Sequence, residues 1–237
     1  KINYTYRWIR WGGFSVQPSE FAKISVVFYL AYLLGKKNID VNNLKKLIIL
    51  MLPVVIVELL ILKQPDYGNF FLILMVSLFM LFIAGFKVRY LFMVFVFFSS
   101  LIYVVMKLNP ERFNRILAFF NPEEYTSTYS FQAMQSLYAI GSGGIFGQGL
   151  GKSTQKLFFL PYAYTDFIYS IIGEEMGLIG SLFILGLFFI FLVRGLTIAK
   201  HSGSTHAYLL VVGLTLLIVF QALMNISVTL SILPTKG

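Results

Sequence analysis

Three acids stand close together in LPYAYTDFIYSIIGEE. Asp166 opens an apolar run, and Glu174 and Glu175 follow about two helical turns later. A carboxylate beside a hydroxyl can accept its proton as a general base, and a nearby Lys or Arg can neutralise a departing phosphate. A cation of that kind occurs in QPSEFAK, where Glu20 and Lys23 lie three residues apart and so share one helix face within pairing distance. The pattern suits a substrate whose polar head lies in water and whose tail lies in lipid.

Each candidate also has a plainer reading. Pro18 at the first helical position and Glu20 in the first turn suit a helix start, although Lys23, about a turn deeper, still needs a partner or a wet cavity. Thr165 and Asp166 are both good N-cap types. Along one straight helix Glu174 and Glu175 lie on the order of 12 Å below Asp166. There, inside hydrocarbon, an acid must be paired, protonated or hydrated, and pairing with Lys23 or another span is the simple account. Asp66 in KQPDYGN fits a turn, and His201 and His206, isolated from each other, make no metal site. GLGKST resembles the tail of a phosphate-binding P-loop, but Phe146 stands where the first glycine would be, so that reading fails. The wider run GSGGIFGQGLG has six glycines, which allow close backbone approach or a sharp turn, and its plainer reading is a flexible connection.

Composition dictates the elements that must position these residues. The chain has 237 residues, 58% hydrophobic and 12% charged, whereas a soluble domain is about half apolar and a quarter charged. It reads as an all-α polytopic membrane protein, a single transmembrane domain over residues 1–237. A spanning helix needs roughly 20 apolar residues. Six runs are candidates: about 19–35, 44–62, 69–86, 88–106, 166–193 and 205–232. The fifth is long and is expected to tilt or protrude. Residues 107–165 form one large loop before it. GKKNIDVNNLKK, GFKVRY and RGLTIAKHSG fall on one side, which the positive-inside rule makes cytoplasmic, while Lys1, Arg7 and Arg10 dissent from the other side. The large loop and Asp166 then face outward. The formal charge of +9 gathers in these short links and not along one soluble face, which argues against nucleic-acid binding. Without cysteine there is no disulfide framework, Cys-based metal site or thiol nucleophile. The chain opens on KINYTYRWIRWGG and closes on LPTKG, and it reads as an internal piece of a longer protein.

Taken in order, RWI with QPSEFAK, KQPDYGNF, ERFNRILAFFNPEE, FQAMQSLYAIGSGGIFGQGLGKSTQKLFFLP, TDFIYSIIGEEMGLIG and MNISVTLSILPTKG resemble the SEDS family of cell-wall proteins (FtsW, RodA and SpoVE), over nearly the whole chain. LPTKG and TQKLFFLP look more like the FtsW/SpoVE branch. The resemblance implies a bundle of ten helices, of which the six spans here correspond to the fourth to ninth. It implies a peptidoglycan glycosyltransferase of the bacterial cytoplasmic membrane whose active site is extracytoplasmic. Such an enzyme polymerises lipid II, the undecaprenyl-pyrophosphate-linked disaccharide peptide: a sugar 4-hydroxyl attacks the anomeric carbon of the growing chain and the pyrophosphate leaves. Asp166, in the TDF motif, matches the family's proposed general base. Glu20 and Lys23 match residues beside its central cavity, and Thr154, Gln155 and Lys156 match its TQK. The substrate-binding set it implies is Glu20, Lys23, Lys152, Gln155, Lys156 and Thr165, with Lys152 and Lys156 on phosphates. No cofactor is required and no metal ligand is assigned, although a divalent cation is compatible. The implied partners are a class B penicillin-binding protein and other membrane proteins of the division or elongation machinery. One departure stands out: LPYAYTDF carries Tyr162 and Tyr164 where the family usually reads Glu and His, which bears on the proton network around Asp166 and the pH optimum.

Two other functions compete. A lipid II flippase needs a polar path to both faces, yet apart from Glu58 the ionisable residues inside the spans fall toward the outer half, which favours the enzyme. A non-catalytic scaffold would keep cellular function when Asp166 is substituted, and the polymerase would not.

Overall fold

The six apolar runs fold as helices within a few residues of their expected starts. The structure is a computed structural model that describes residues 8–11, 14–36, 43–64, 66–107, 119, 131–155 and 164–234. In it α1 spans Pro18–Leu34, α2 Leu44–Lys63, α3 Tyr67–Ile83 and α4 Val88–Lys107. α5 spans Phe131–Gly143, α6 Ile168–Lys200 and α7 Thr205–Thr229. Among the described residues α4, α6 and α7 are long and apolar enough to cross a membrane, and α3 is a shorter apolar helix. α2 has the length but also carries Lys45, Lys46 and Glu58, and α1 has 17 residues. Local chemistry sets the starts: Pro18 opens α1, and the Asn43 side chain caps α2 by accepting from Lys45 N (3.1 Å) and Lys46 N (3.3 Å).

Two elements were not expected. Strands β1 (Ile9–Trp11) and β2 (Phe14–Val16) pair antiparallel, with Ile9 opposite Val16 and Trp11 opposite Phe14. α5 lies inside the segment read as a large loop, so that loop is in part helical.

The chain divides into two units. One comprises Lys1–Ile102 and Leu192–Phe220, the other Tyr103–Phe191 and Gln221–Gly237. In the first unit the buried face of α1 runs Ser19, Lys23, Val26, Val27, Leu30, Ala31 and Leu34, the three-and-four spacing of one helix stripe. α3 is buried through most of Phe70 to Leu81, as a central helix must be. The Tyr29 hydroxyl donates to the Leu50 carbonyl (3.0 Å), tying α1 to α2, and Phe79 meets Phe220 edge-on at 5.1 Å, tying α3 to α7. In the second unit buried Ser136 of α5 donates to the Thr229 carbonyl at the end of α7 (2.7 Å). Phe167, Ile171 and Val228 form a core cluster there, with Leu233 packed on it.

Candidate active site

α6 is not one straight helix. Gly177 has φ 65° and ψ −160°, a conformation open essentially to glycine alone, and the helix breaks there. The Tyr169 hydroxyl consequently reaches the Ser181 carbonyl at 3.2 Å, although an unbroken helix would hold residues 169 and 181 about 18 Å apart. The single long fifth span is therefore corrected: residues 168–176 form a short helix, and residues 178–200 form the part long enough to span.

A break orphans backbone groups, and within a membrane they cannot be left to water. In a regular helix Leu178 N and Ile179 N would donate to the carbonyls of residues 174 and 175. Here the glycine-rich run is spliced into the gap. Leu178 N donates to Gly144 O (2.9 Å) and Ile179 N to Ile145 O (3.3 Å). The freed Glu174 and Glu175 carbonyls accept from Gln148 N and Gly149 N, each at 3.0 Å. Only glycine permits the approach: a Cβ on Gly143 would overlap the Gly173 carbonyl, and one on Gly147 would overlap the Glu175 carbonyl. Both readings of the glycine run, close approach and sharp turn, hold, since Gly144, Gly147, Gly149 and Gly151 all have positive φ.

The splice also explains Glu174. Its carboxylate is wholly buried and accepts three hydrogen bonds, from Ser153 Oγ at 2.5 Å, Thr154 N at 3.0 Å and Thr154 Oγ1 at 3.1 Å. For Glu174 the expectation of pairing with Lys23 or another span is overturned, because it assumed a continuous helix. The carboxylate is satisfied by the loop that fills the break.

Asp166 differs in every respect. It lies in a turn at residues 164–167, two residues before α6. Phe167 follows it and is 2% exposed, locked into the cluster with Ile171 and Val228. The Phe167 carbonyl accepts from Ser170 N (3.1 Å) and Ser170 Oγ (2.6 Å). The turn is thus pinned by its last residue, while the Asp166 side chain is exposed and has no hydrogen-bond partner among the described residues. Asp166 does not cap α6, which departs from the plainer reading.

In the first unit the structure brings together Glu20 and Lys23. Lys23 Nζ contacts both Glu20 oxygens at 2.8 Å, and the lysine side chain is 2% exposed against 47% for the glutamate. Beside them Asp66 caps α3 and ties it to α1. It accepts from Gln17 Nε2 (3.0 Å), Asn69 N (3.2 Å) and Asn69 Nδ2 (3.0 Å), and that same amide reaches Ser19 Oγ at 3.1 Å. The turn reading of Asp66 missed this interhelical role, and Gln17 and Asn69 went unweighed. Their signal was present, since both sit in the QPSE and QPDYGN strings.

Lys152 and Thr165 are exposed, and Gln155 is half-buried with Oε1 lacking a partner among the described residues. Lys156 and Tyr162 lie outside the described residues, and Tyr164 is exposed. Ser153, which sequence reasoning passed over, is a principal partner of Glu174. Among the described residues no group of three or more His, Cys, Asp or Glu could hold a metal ion.

The chain matches the family model described as "Cell cycle protein", FtsW/RodA/SpoVE, over residues 1–237. It is 42% identical over 241 residues to the "Probable peptidoglycan glycosyltransferase FtsW" of Trichlorobacter lovleyi, covering 100% of this chain and 62% of that protein. It is 38% identical to the protein of the same name from Buchnera aphidicola subsp. Schizaphis graminum, covering 100% and 68%. A solved structure described as "Structural coordination of polymerization and crosslinking by a peptidoglycan synthase complex" is similar at a TM-score of 0.76 and 24% identity, covering 100% of this chain and 66% of that one. The rod shape determining protein RodA of Thermus thermophilus is similar at a TM-score of 0.62 and 24% identity, covering 97% and 59%. These structural likenesses speak to the fold, and the chain spans about three fifths of the length of the first curated relatives. On the match over its whole length, the chain belongs to the FtsW/RodA/SpoVE family.

Proposed function

We propose that the protein is a peptidoglycan glycosyltransferase that polymerises lipid II on the outer face of the bacterial cytoplasmic membrane, with Asp166 as general base. The curated relatives bear the name of that activity. The observation that carries the reading is Asp166 itself, an exposed carboxylate free of partners among the described residues, on a turn pinned by buried Phe167. A base must be held in place yet left open to the hydroxyl it deprotonates. Asp66, Glu20 and Glu174 are engaged by neighbours; Asp166 is available. Lys152 and Lys156 would neutralise the pyrophosphate as it departs. A class B penicillin-binding protein would be the partner that cross-links the strands.

The flippase reading loses the feature that set Glu58 apart. Glu58 stands five residues before α2 ends at Lys63. On the proposed orientation that end faces outward, so Glu58 falls in the outer half of its own span.

The test uses the full-length protein with its penicillin-binding partner, reconstituted with lipid II while the partner's transpeptidation is blocked. Glycan strands from the wild type and none from Asp166→Asn, at equal partner binding, are the expected result. Equal strands from both would remove Asp166 from the chemistry, and strands from neither would return the weight to transport or scaffolding.

A further inference from the structure

The backbone splice already ties the glycine run to α6 through four hydrogen bonds, so the carboxylate of Glu174 is not needed for that union. It does something additional: it gathers Ser153 and Thr154, the two residues that follow Lys152. We propose that Glu174 is a positioning residue, whose buried carboxylate fixes residues 153–155, and with them Lys152, relative to Asp166. The proposal rests on the glycosyltransferase reading, and the ligand class concerned is a lipid-linked pyrophosphate.

Three observations support it. First, the acid is wholly buried with both oxygens bonded, so it has no route to a substrate proton and acts through its neighbours. Second, Asp166 sits on the turn two residues before the short helical stretch of residues 168–176, and Glu174 lies near that stretch's end, about 9 Å along the helix from Ile168. The turn that carries the base is pinned at the start of this stretch by Phe167 and the loop is fastened near its end, so one short helix links base and loop. Third, Ser153 is buried while Lys152 beside it is exposed. The lysine stem lies over Gly149, where a Cβ would come within 3.3 Å of Lys152 Cδ. Anchoring Ser153 inward therefore presents the neighbouring cation outward. A cation held at a set distance from a base can meet a substrate's phosphate while the base meets its hydroxyl.

Glu174→Gln, Glu174→Ala and the loop-side pair Ser153→Ala with Thr154→Val test this in the full-length protein bound to its partner. Two readouts are taken: hydrogen exchange at the Thr154 amide, and glycan-strand formation as a function of lipid II concentration. In Glu174→Ala the amide should exchange faster and KM should rise by about tenfold or more, with a smaller change in kcat. Glu174→Gln should stay within about threefold of the wild type, because its amide oxygen still accepts from Thr154 and its amide nitrogen can donate to Ser153 Oγ. The loop-side pair should reproduce the alanine defect and supplies the answer if Glu174→Ala does not accumulate. A glutamine variant as impaired as alanine would overturn the proposal, since the charge itself would then be required. An unchanged KM in alanine or in the loop-side pair would overturn it as well. If the wild type makes no strands, the glycosyltransferase reading fails separately, and exchange decides alone: lost protection in alanine but not glutamine sustains the positioning role, and equal protection in both refutes it.

Discussion

Asp66 and Asp166 occupy the same kind of place, an aspartate within two residues of a helix start, and they are used in opposite ways. Asp66 is buried, caps α3 and draws Gln17 and Asn69 onto its two oxygens. Asp166 is exposed, caps nothing and has no partner among the described residues. What separates them is the residue that follows. Tyr67 begins α3 at once, so the Asp66 carboxylate falls beside the first N–H groups. Phe167 intervenes before α6 and takes the anchoring position in the apolar cluster, while Asp166 is exposed. One inserted aromatic turns a structural acid into an available one.

Substitutions can break or sharpen that contrast. The largest effect expected is on rate: Asp166→Asn should lower strand formation by about 10²–10⁴-fold, measured with lipid II, without moving the thermal unfolding midpoint. Next comes Gly177→Ala, where a side chain meets both a glycine-only conformation and the Ile145 carbonyl. Unfolding of the purified full-length protein should show a loss of about 3 kcal/mol or more, and an unchanged midpoint would disprove the splice. Asp66→Asn removes charge-assisted bonds to Gln17 and Asn69 and should cost about 2 kcal/mol in the same measurement. The smallest effect belongs to Glu58, wholly buried with neither oxygen bonded among the described residues. Glu58→Leu should leave stability unchanged or raise it by about 1 kcal/mol, because an unpartnered buried acid is costly. A clear loss would reveal a partner and place Glu58 beside Asp66 as a structural acid.

Much of this was legible before any coordinates. Apolar run length located the six helices, because burial in lipid demands it of every spanning residue. The hairpin was missed although Gly12 and Gly13 separate IRW from FSV, a common two-residue hairpin signal. α5 was overlooked because FQAMQSLYAI is short and lay within a stretch judged by hydropathy alone. The break at Gly177 was invisible for a different reason: MGLIG is as apolar as its surroundings, and hydropathy does not register backbone conformation. Glu174 could not be assigned, since its partners Ser153 and Thr154 lie about twenty residues upstream and reach it only through the splice. Asp166 was identified by its motif, and its freedom from capping emerged only once Phe167 was seen in the core.

The most direct measurement sets Asp66→Asn beside Asp166→Asn in the full-length protein with its penicillin-binding partner, scoring thermal unfolding and lipid II polymerisation on the same preparations. The account predicts a crossed result, with a lowered midpoint and retained polymerisation at permissive temperature for Asp66→Asn, and an unchanged midpoint with polymerisation abolished for Asp166→Asn. An Asp166→Asn protein that still polymerises, or that loses its strands only because it unfolds, would contradict it.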